Sequence, residues 1–174
     1  MSGIAHTDPH RIGSTGGRRG FERPSGVRRR AFAECDDRVG KVSEEKQELM
    51  KVAEQSLFKG IEKAKARNHV HDISAAVQSC VEDAGFSVVR ELVGHGVGRE
   101  LHEDPAVPNF GTAGTGIVLQ SGMTLAIEPM VNCGTHRVRI DADGWTVRTA
   151  DGKPSAHFEH TVLITESEPE ILTR

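Results

Sequence analysis

The chain of 174 residues has few cysteines: Cys35, Cys80 and Cys133, an odd number at wide spacing. That excludes a disulfide framework and any Cys-x-x-Cys metal clip, and a reducing cytoplasm is the expected compartment. No run approaches the roughly 18 consecutive apolar residues of a membrane span, and the N-terminus carries no apolar segment of signal-peptide type, so neither insertion nor export is expected. Charge of one sign is not in excess either. The formal net charge is -3, with 27% charged and 36% hydrophobic residues. That balance describes an ordinary folded protein and argues against a broad attraction to nucleic acid or membrane. No membrane partner and no specific nucleic acid are expected. The length suits one domain with a real core, and residues 42–174 show no internal repeat.

Lysine is missing from the first forty residues, which hold eight arginines and seven glycines, whereas every lysine comes at Lys41 or later. A composition boundary therefore falls near Val42. Residues 1–41 show neither a two-residue nor a 3.6-residue apolar period and are expected to be an unstructured Arg/Gly-rich segment. Arg28, Arg29 and Arg30, with Arg18, Arg19 and Arg23, would suit a basic arm touching RNA. Asp8, Glu22 and the many glycines speak against an organelle-targeting segment. A third reading is a stretch not shaped by selection.

Beyond Ser43 the pattern becomes regular. Leu49, Val52, Ala53, Leu57, Ile61 and Ala64 recur at helical spacing, and Ile73, Val77, Cys80, Val81 and Ala84 form a second stripe that stops at Gly85, a good residue just past a helix end. "FSVVREL", "TLAIEPMV", "HRVRI" and "HFEHTVLIT" read as strands, and "DADGWTVRTADGKP" as a hairpin with Asp-Gly turns. Two helices followed by four or five mainly antiparallel strands predict an α/β (α+β) layered fold, with the helices on one face of the sheet.

Two of these strands contain an intruder. In "TLAIEPM" Glu128 shares a face with Ala126 and Met130, and in "AHFEHTVLIT" Glu159 shares one with His157, Thr161 and Leu163. Burying a bare carboxylate costs several kcal/mol, so each glutamate must be paired, protonated or bound to a cation. Upstream, "VGHGVGRELHEDP" sets His95 between Gly94 and Gly96, which would let backbone and ligand approach closely. His95, Glu128 and Glu159 on three strands suit a manganese, iron, cobalt or zinc ion. A lone strand histidine is more often a satisfied core residue than a ligand, and either glutamate could instead pair with Arg99, Arg137 or Arg139. His136, His157 and His160 read as structural or surface residues.

"AGFSVVREL", "GHGVGRELHEDP", "SGMTLAIEPMVNCG" and "DGWTVRTADGKPSAHFEHTVLIT", in this order over residues 42–174, resemble the second half of the type 1 methionine aminopeptidases, members of the pita-bread metallopeptidases. The Pro129-Met130 pair after the first glutamate, where proline-specific peptidases of this fold carry Pro-Gly, supports the methionine branch. The resemblance implies a truncated pita-bread fold and removal of N-terminal methionine from nascent polypeptides, in the cytoplasm and near the ribosome. It implies that His95, Glu128 and Glu159 are metal ligands, with Glu159 bridging two ions. It also implies that His102 contacts the scissile peptide and that Trp145 and Leu101 line the methionine pocket.

The family's other two ligands are aspartates eleven residues apart, and no pair among Asp8, Asp36 and Asp37 has that spacing. At most one ion is therefore expected here in place of two, with impaired catalysis. The alternative is a non-catalytic remnant or ribosome-associated binding module. An arginine-, glycine-, serine- and proline-containing start without lysine is also what GC-rich DNA encodes in a wrong frame, so a frameshifted or mis-started reading of the gene, or a degraded gene, is expected to account for residues 1–41.

Overall fold

The computed structural model describes residues 33–36 and 41–173. Helix α1 (Glu44–Ile61) opens with Glu44 and Glu45 in its first turn and carries Lys59 in its last, both favourable to the helix dipole. It buries Leu49, Val52, Ala53, Leu57 and Ile61, the predicted stripe. Helix α2 (Val70–Asp83) buries Val70, Ile73, Val77 and Val81. It ends before Gly85, whose φ of 82° a side chain would disfavour. The helices meet at Gly60, where a Cβ would lie 2.8 Å from Val77 Cγ2. The start of α2 is tied down by Asp72, which accepts the backbone N–H of His69 at 2.7 Å and that of Gly114 at 2.8 Å. The His69 bond foremost holds the Asp72 carboxyl below the ordinary carboxylate range.

The strands are β1 (Ala33–Cys35), β2 (Ser87–Val88), β3 (Gly94–Gly96), β4 (Glu103–Val107), β5 (Thr124–Ile127), β6 (Met130–Asn132), β7 (Val138–Ile140), β8 (Val147–Thr149), β9 (Ser155–Leu163) and β10 (Glu170–Ile171). One eight-stranded sheet runs β2-β6-β9-β5-β3-β4, with β1 and β10 also paired to β9, while β7 and β8 form a separate two-stranded sheet. The named strand pairs are all antiparallel. The nine-residue β9 is the axis. Its first half pairs with β6, Met130 opposite His157, and its second half with β5, Ala126 opposite Thr161.

This register sorts the side chains. Leu125, Ile127, Val131, Phe158 and Val162 meet the helices in one apolar core, where each fully buried side chain contributes about 1.5–3 kcal/mol. The result is the expected α+β arrangement, two helices on an antiparallel sheet. No helix among the described residues is long and apolar enough to cross a membrane.

Three expectations change in detail. "TLAIEPMV" is two strands, because Pro129 has no N–H to donate and interrupts the ladder between β5 and β6. The hairpin is formed by β7 and β8 around Asp141–Thr146, and the second Asp-Gly turn, at Asp151-Gly152, leads into β9. Within the segment expected to be unstructured, Ala33–Cys35 forms β1, Glu34 opposite Glu159. Residues 1–32 and 37–40 lie outside the described residues.

Candidate metal centre

His95 occupies the middle of β3, opposite Ala126 of β5. Its flanking glycines are required by the neighbouring strands: a Cβ on Gly94 would strike the Ala126 carbonyl oxygen, and one on Gly96 the Asp104 carbonyl oxygen. His95 Nδ1 lies 2.8 Å from the Gly96 carbonyl oxygen. A carbonyl can only accept, so Nδ1 carries the hydrogen and a neutral ring presents its lone pair on Nε2, the tautomer a metal ligand needs. That Nε2 is 3.7 Å from Glu128 Oε1, and the two side chains are only 13% and 12% exposed.

Glu128 follows the end of β5, its backbone carbonyl accepting the Asn109 side-chain amide at 3.4 Å. Its second oxygen, Oε2, stands 3.3 Å from His157 Nε2. The carboxylate thus lies between two imidazoles rather than beside an arginine. Arg139 pairs instead with Asp141 at 2.8 Å. Both His–Glu separations are longer than the 2.7–3.2 Å of a good N–H···O bond. They are comparable to the roughly 3.0–3.6 Å between two ligand atoms that share one ion at bond lengths of about 2.1 Å.

Glu159 belongs to the same face of β9 as Thr161, which pairs with Ala126, and it is 8% exposed. The register therefore gives His95, Glu128 and Glu159 one face of the sheet. As the side chains stand, no group of three or more His, Cys, Asp or Glu among the described residues is arranged to hold a metal ion. The donor chemistry fits one, since an imidazole nitrogen and two carboxylates, one buried and one largely so, are the groups a divalent transition ion takes.

His102, in the connection from β3 to β4, packs its exposed ring on that of His95, centroids 4.2 Å apart and planes inclined by 52°. Leu101 beside it is half-buried. Trp145 is 50% exposed on the β7–β8 turn. Its backbone N–H is donated to Asp143 Oδ1 at 2.9 Å. Hydrogen bonds to Asp143, foremost from the Thr146 hydroxyl, pull that carboxyl down to about 2. The structure brings Glu128 and His102 each against His95 and sets Glu159 on the same face of the sheet.

Two histidines expected to be structural or surface residues part company. His160 is structural, its Nδ1 2.9 Å from the Thr173 hydroxyl and its ring 6.0 Å from that of Phe58. His157 is 7% exposed and faces Glu128. The signal was present in the sequence, because His157 is two residues from Glu159 and strand alternation puts both on one side.

A divalent-ion donor set on an antiparallel sheet backed by two helices is what the metallopeptidase resemblance requires. Residues 35–166 match Metallopeptidase family M24, and the chain belongs to that family. It is 60% identical over 135 residues to a methionine aminopeptidase of Clostridium perfringens, covering 78% of this chain and 54% of that protein. To methionine aminopeptidase 1 of Bacillus subtilis it is 54% identical over 136 residues, covering 78% of this chain and 55% of that one. The chain thus spans about half the length of the curated relatives it matches. Among solved structures it is similar to the methionine aminopeptidase of Thermotoga maritima, with a TM-score of 0.82 and 52% identity, covering 84% of this chain and 59% of the other. The fold is the pita-bread arrangement of these enzymes, in part.

Proposed function

We propose that these residues carry the core of a metal-dependent methionyl aminopeptidase site, which takes the N-terminal methionine of nascent polypeptides in the cytoplasm, where the ribosome delivers them. The observation that carries the reading is Glu128, a nearly buried carboxylate flanked by His95 Nε2 at 3.7 Å, on the face that Glu159 shares. His95, Glu128 and Glu159 would hold one cobalt, manganese, iron or zinc ion, the Glu159 carboxylate turning toward the other two. When bound, such an ion supplies Lewis-acid polarisation of a carbonyl and acidification of a water. His102 is exposed and packed at a tilt against His95, so its ring can donate a hydrogen bond to the oxygen on which charge develops. Leu101 and Trp145 offer apolar surface to a thioether side chain.

Turnover by the isolated 174-residue chain is expected to be weak. Of the groups that match the family's ligands, only Glu159 could serve a second ion. Loose positioning of the substrate alone can cost about 100-fold in rate. Titration of the purified chain with manganese, cobalt or iron should saturate near one ion, with negligible release of methionine from a Met-Ala peptide. Ordinary enzymatic release, abolished by Glu159→Ala, would overturn the single-ion reading. Binding of one ion without turnover is the behaviour of a non-catalytic remnant. Failure to bind any of these ions would overturn the metal site itself.

A further inference from the structure

We propose that Asn109 is a positioning residue of the metal centre, which sets the direction of the Glu128 carboxylate by holding that residue's backbone. This rests on the metal site proposed above. Glu128 needs such a support because it belongs to no strand: β5 ends at Ile127 and β6 begins at Met130, with Pro129 between them unable to donate an N–H. A side chain there takes its direction from whatever fixes its own peptide. The Asn109 side-chain amide donates to the Glu128 carbonyl oxygen at 3.4 Å. Asn109 is 1% exposed, and a carboxamide taken so far out of water is kept there by the bonds it makes. The bond is long, so its worth lies in placing the peptide rather than in energy. At the other end of the same residue, Glu128 Oε1 stands 3.7 Å from His95 Nε2.

Asn109 can serve as a fixed point because the chain on both sides of it is pinned. It lies just beyond the end of β4, whose last residue, Val107, pairs with Gly94, the residue before His95. The Arg90 guanidinium carbon lies 5.3 Å from the centre of the Phe110 ring, a cation–π contact. Gly111 donates its N–H to Gln78 Oε1 of α2 at 3.1 Å. The strand that aligns His95 and the amide that holds Glu128 are therefore consecutive parts of one anchored segment. The spacing of imidazole and carboxylate is set before any ion arrives, and a site organised in advance binds more tightly without an added ligand.

The test uses the full chain and cobalt(II), whose visible absorption bands report the geometry of its ligands. In Asn109→Leu, which keeps the side chain's bulk and removes the N–H, affinity for cobalt should fall by about 10–100-fold, the loss typical of partners that orient ligands, and the bands should shift. Asp72→Ala, which loosens the start of α2 instead, should lower stability and leave both readings unchanged. The Asn109 side-chain amide protons of the unaltered chain, followed by nuclear magnetic resonance, should exchange slowly with solvent, a measurement that does not depend on any variant folding. Unchanged affinity and bands in Asn109→Leu, or fast exchange of that amide in the unaltered chain, would overturn the proposal and leave the metal site standing. No cobalt bound by the unaltered chain would overturn both.

Discussion

Strands β5 and β9 present two faces that are buried to nearly the same degree and filled with opposite chemistry. On the helix side Leu125, Ile127 and Val162 are 0%, 1% and 0% exposed. On the other side Ala126 and Thr161 are 0% exposed, His157 7% and Glu159 8%. Apolar burial on the first face stabilises the fold by about 25 cal/mol for each Å² removed from water. Ionisable groups on the second cost several kcal/mol unless something compensates them. The comparison assigns different tasks to alternate residues of the same strands. One face holds the protein together, and the other stays polar at the expense of stability, as the proposed metal site requires.

The largest expected effect tests the stabilising face. Ile127→Ala removes a fully buried side chain in contact with the α1–α2 junction, where it would sit 3.4 Å from a Cβ on Gly60. The loss should be about 2–5 kcal/mol, read as a lower urea midpoint with unchanged slope. Glu128→Gln, on the polar face, is the counterpart. Without metal its stability should equal or exceed that of the unaltered chain, because a carboxylate is no longer desolvated. With metal at 100 times its dissociation constant, the unaltered chain should gain about 2.7 kcal/mol and the variant nothing. Should the metal-free variant lose as much as Ile127→Ala, the two faces would not differ in task.

Both faces were legible in the sequence because they depend only on short-range periodicity. The 3.6-residue stripes of α1 and α2 and the two-residue alternation in "TLAIEPM" and "HFEHTVLIT" assign each side chain to a side before any partner is known. What escaped was set by pairing across the chain. Strands β1, β2 and β10 are two or three residues long, too short to show a period, and exist because the long β9 pairs with β1 and β10 and because β6 pairs with β2. The break at Pro129 follows from a missing N–H and could have been read. His157 was passed over because a histidine within a strand says nothing by itself. Its meaning comes from Glu128, in the break between β5 and β6.

The smallest effect sharpens the comparison by weighing a polar group that does work for stability. Asp72 lies at the start of α2, away from the polar face of the sheet, and its two oxygens tie the helix to the loop at Gly114. Asp72→Ala should cost about 1 kcal/mol at neutral pH, as loss of a helix-capping side chain does. The pH dependence follows from the direction of its shift. The folded carboxyl lies below its ordinary 3.8, so the unfolded chain takes up the proton first as pH falls. The charged form's contribution is fully present above the unfolded value and fades as pH drops through the folded one. Urea titrations of both proteins at neutral pH and near pH 2–3 should therefore show the gap between them closing in acid, since pairing that favours the carboxylate is lost below both values. A gap of constant size would mean that hydrogen-bond geometry, rather than the charge on Asp72, stabilises the start of α2.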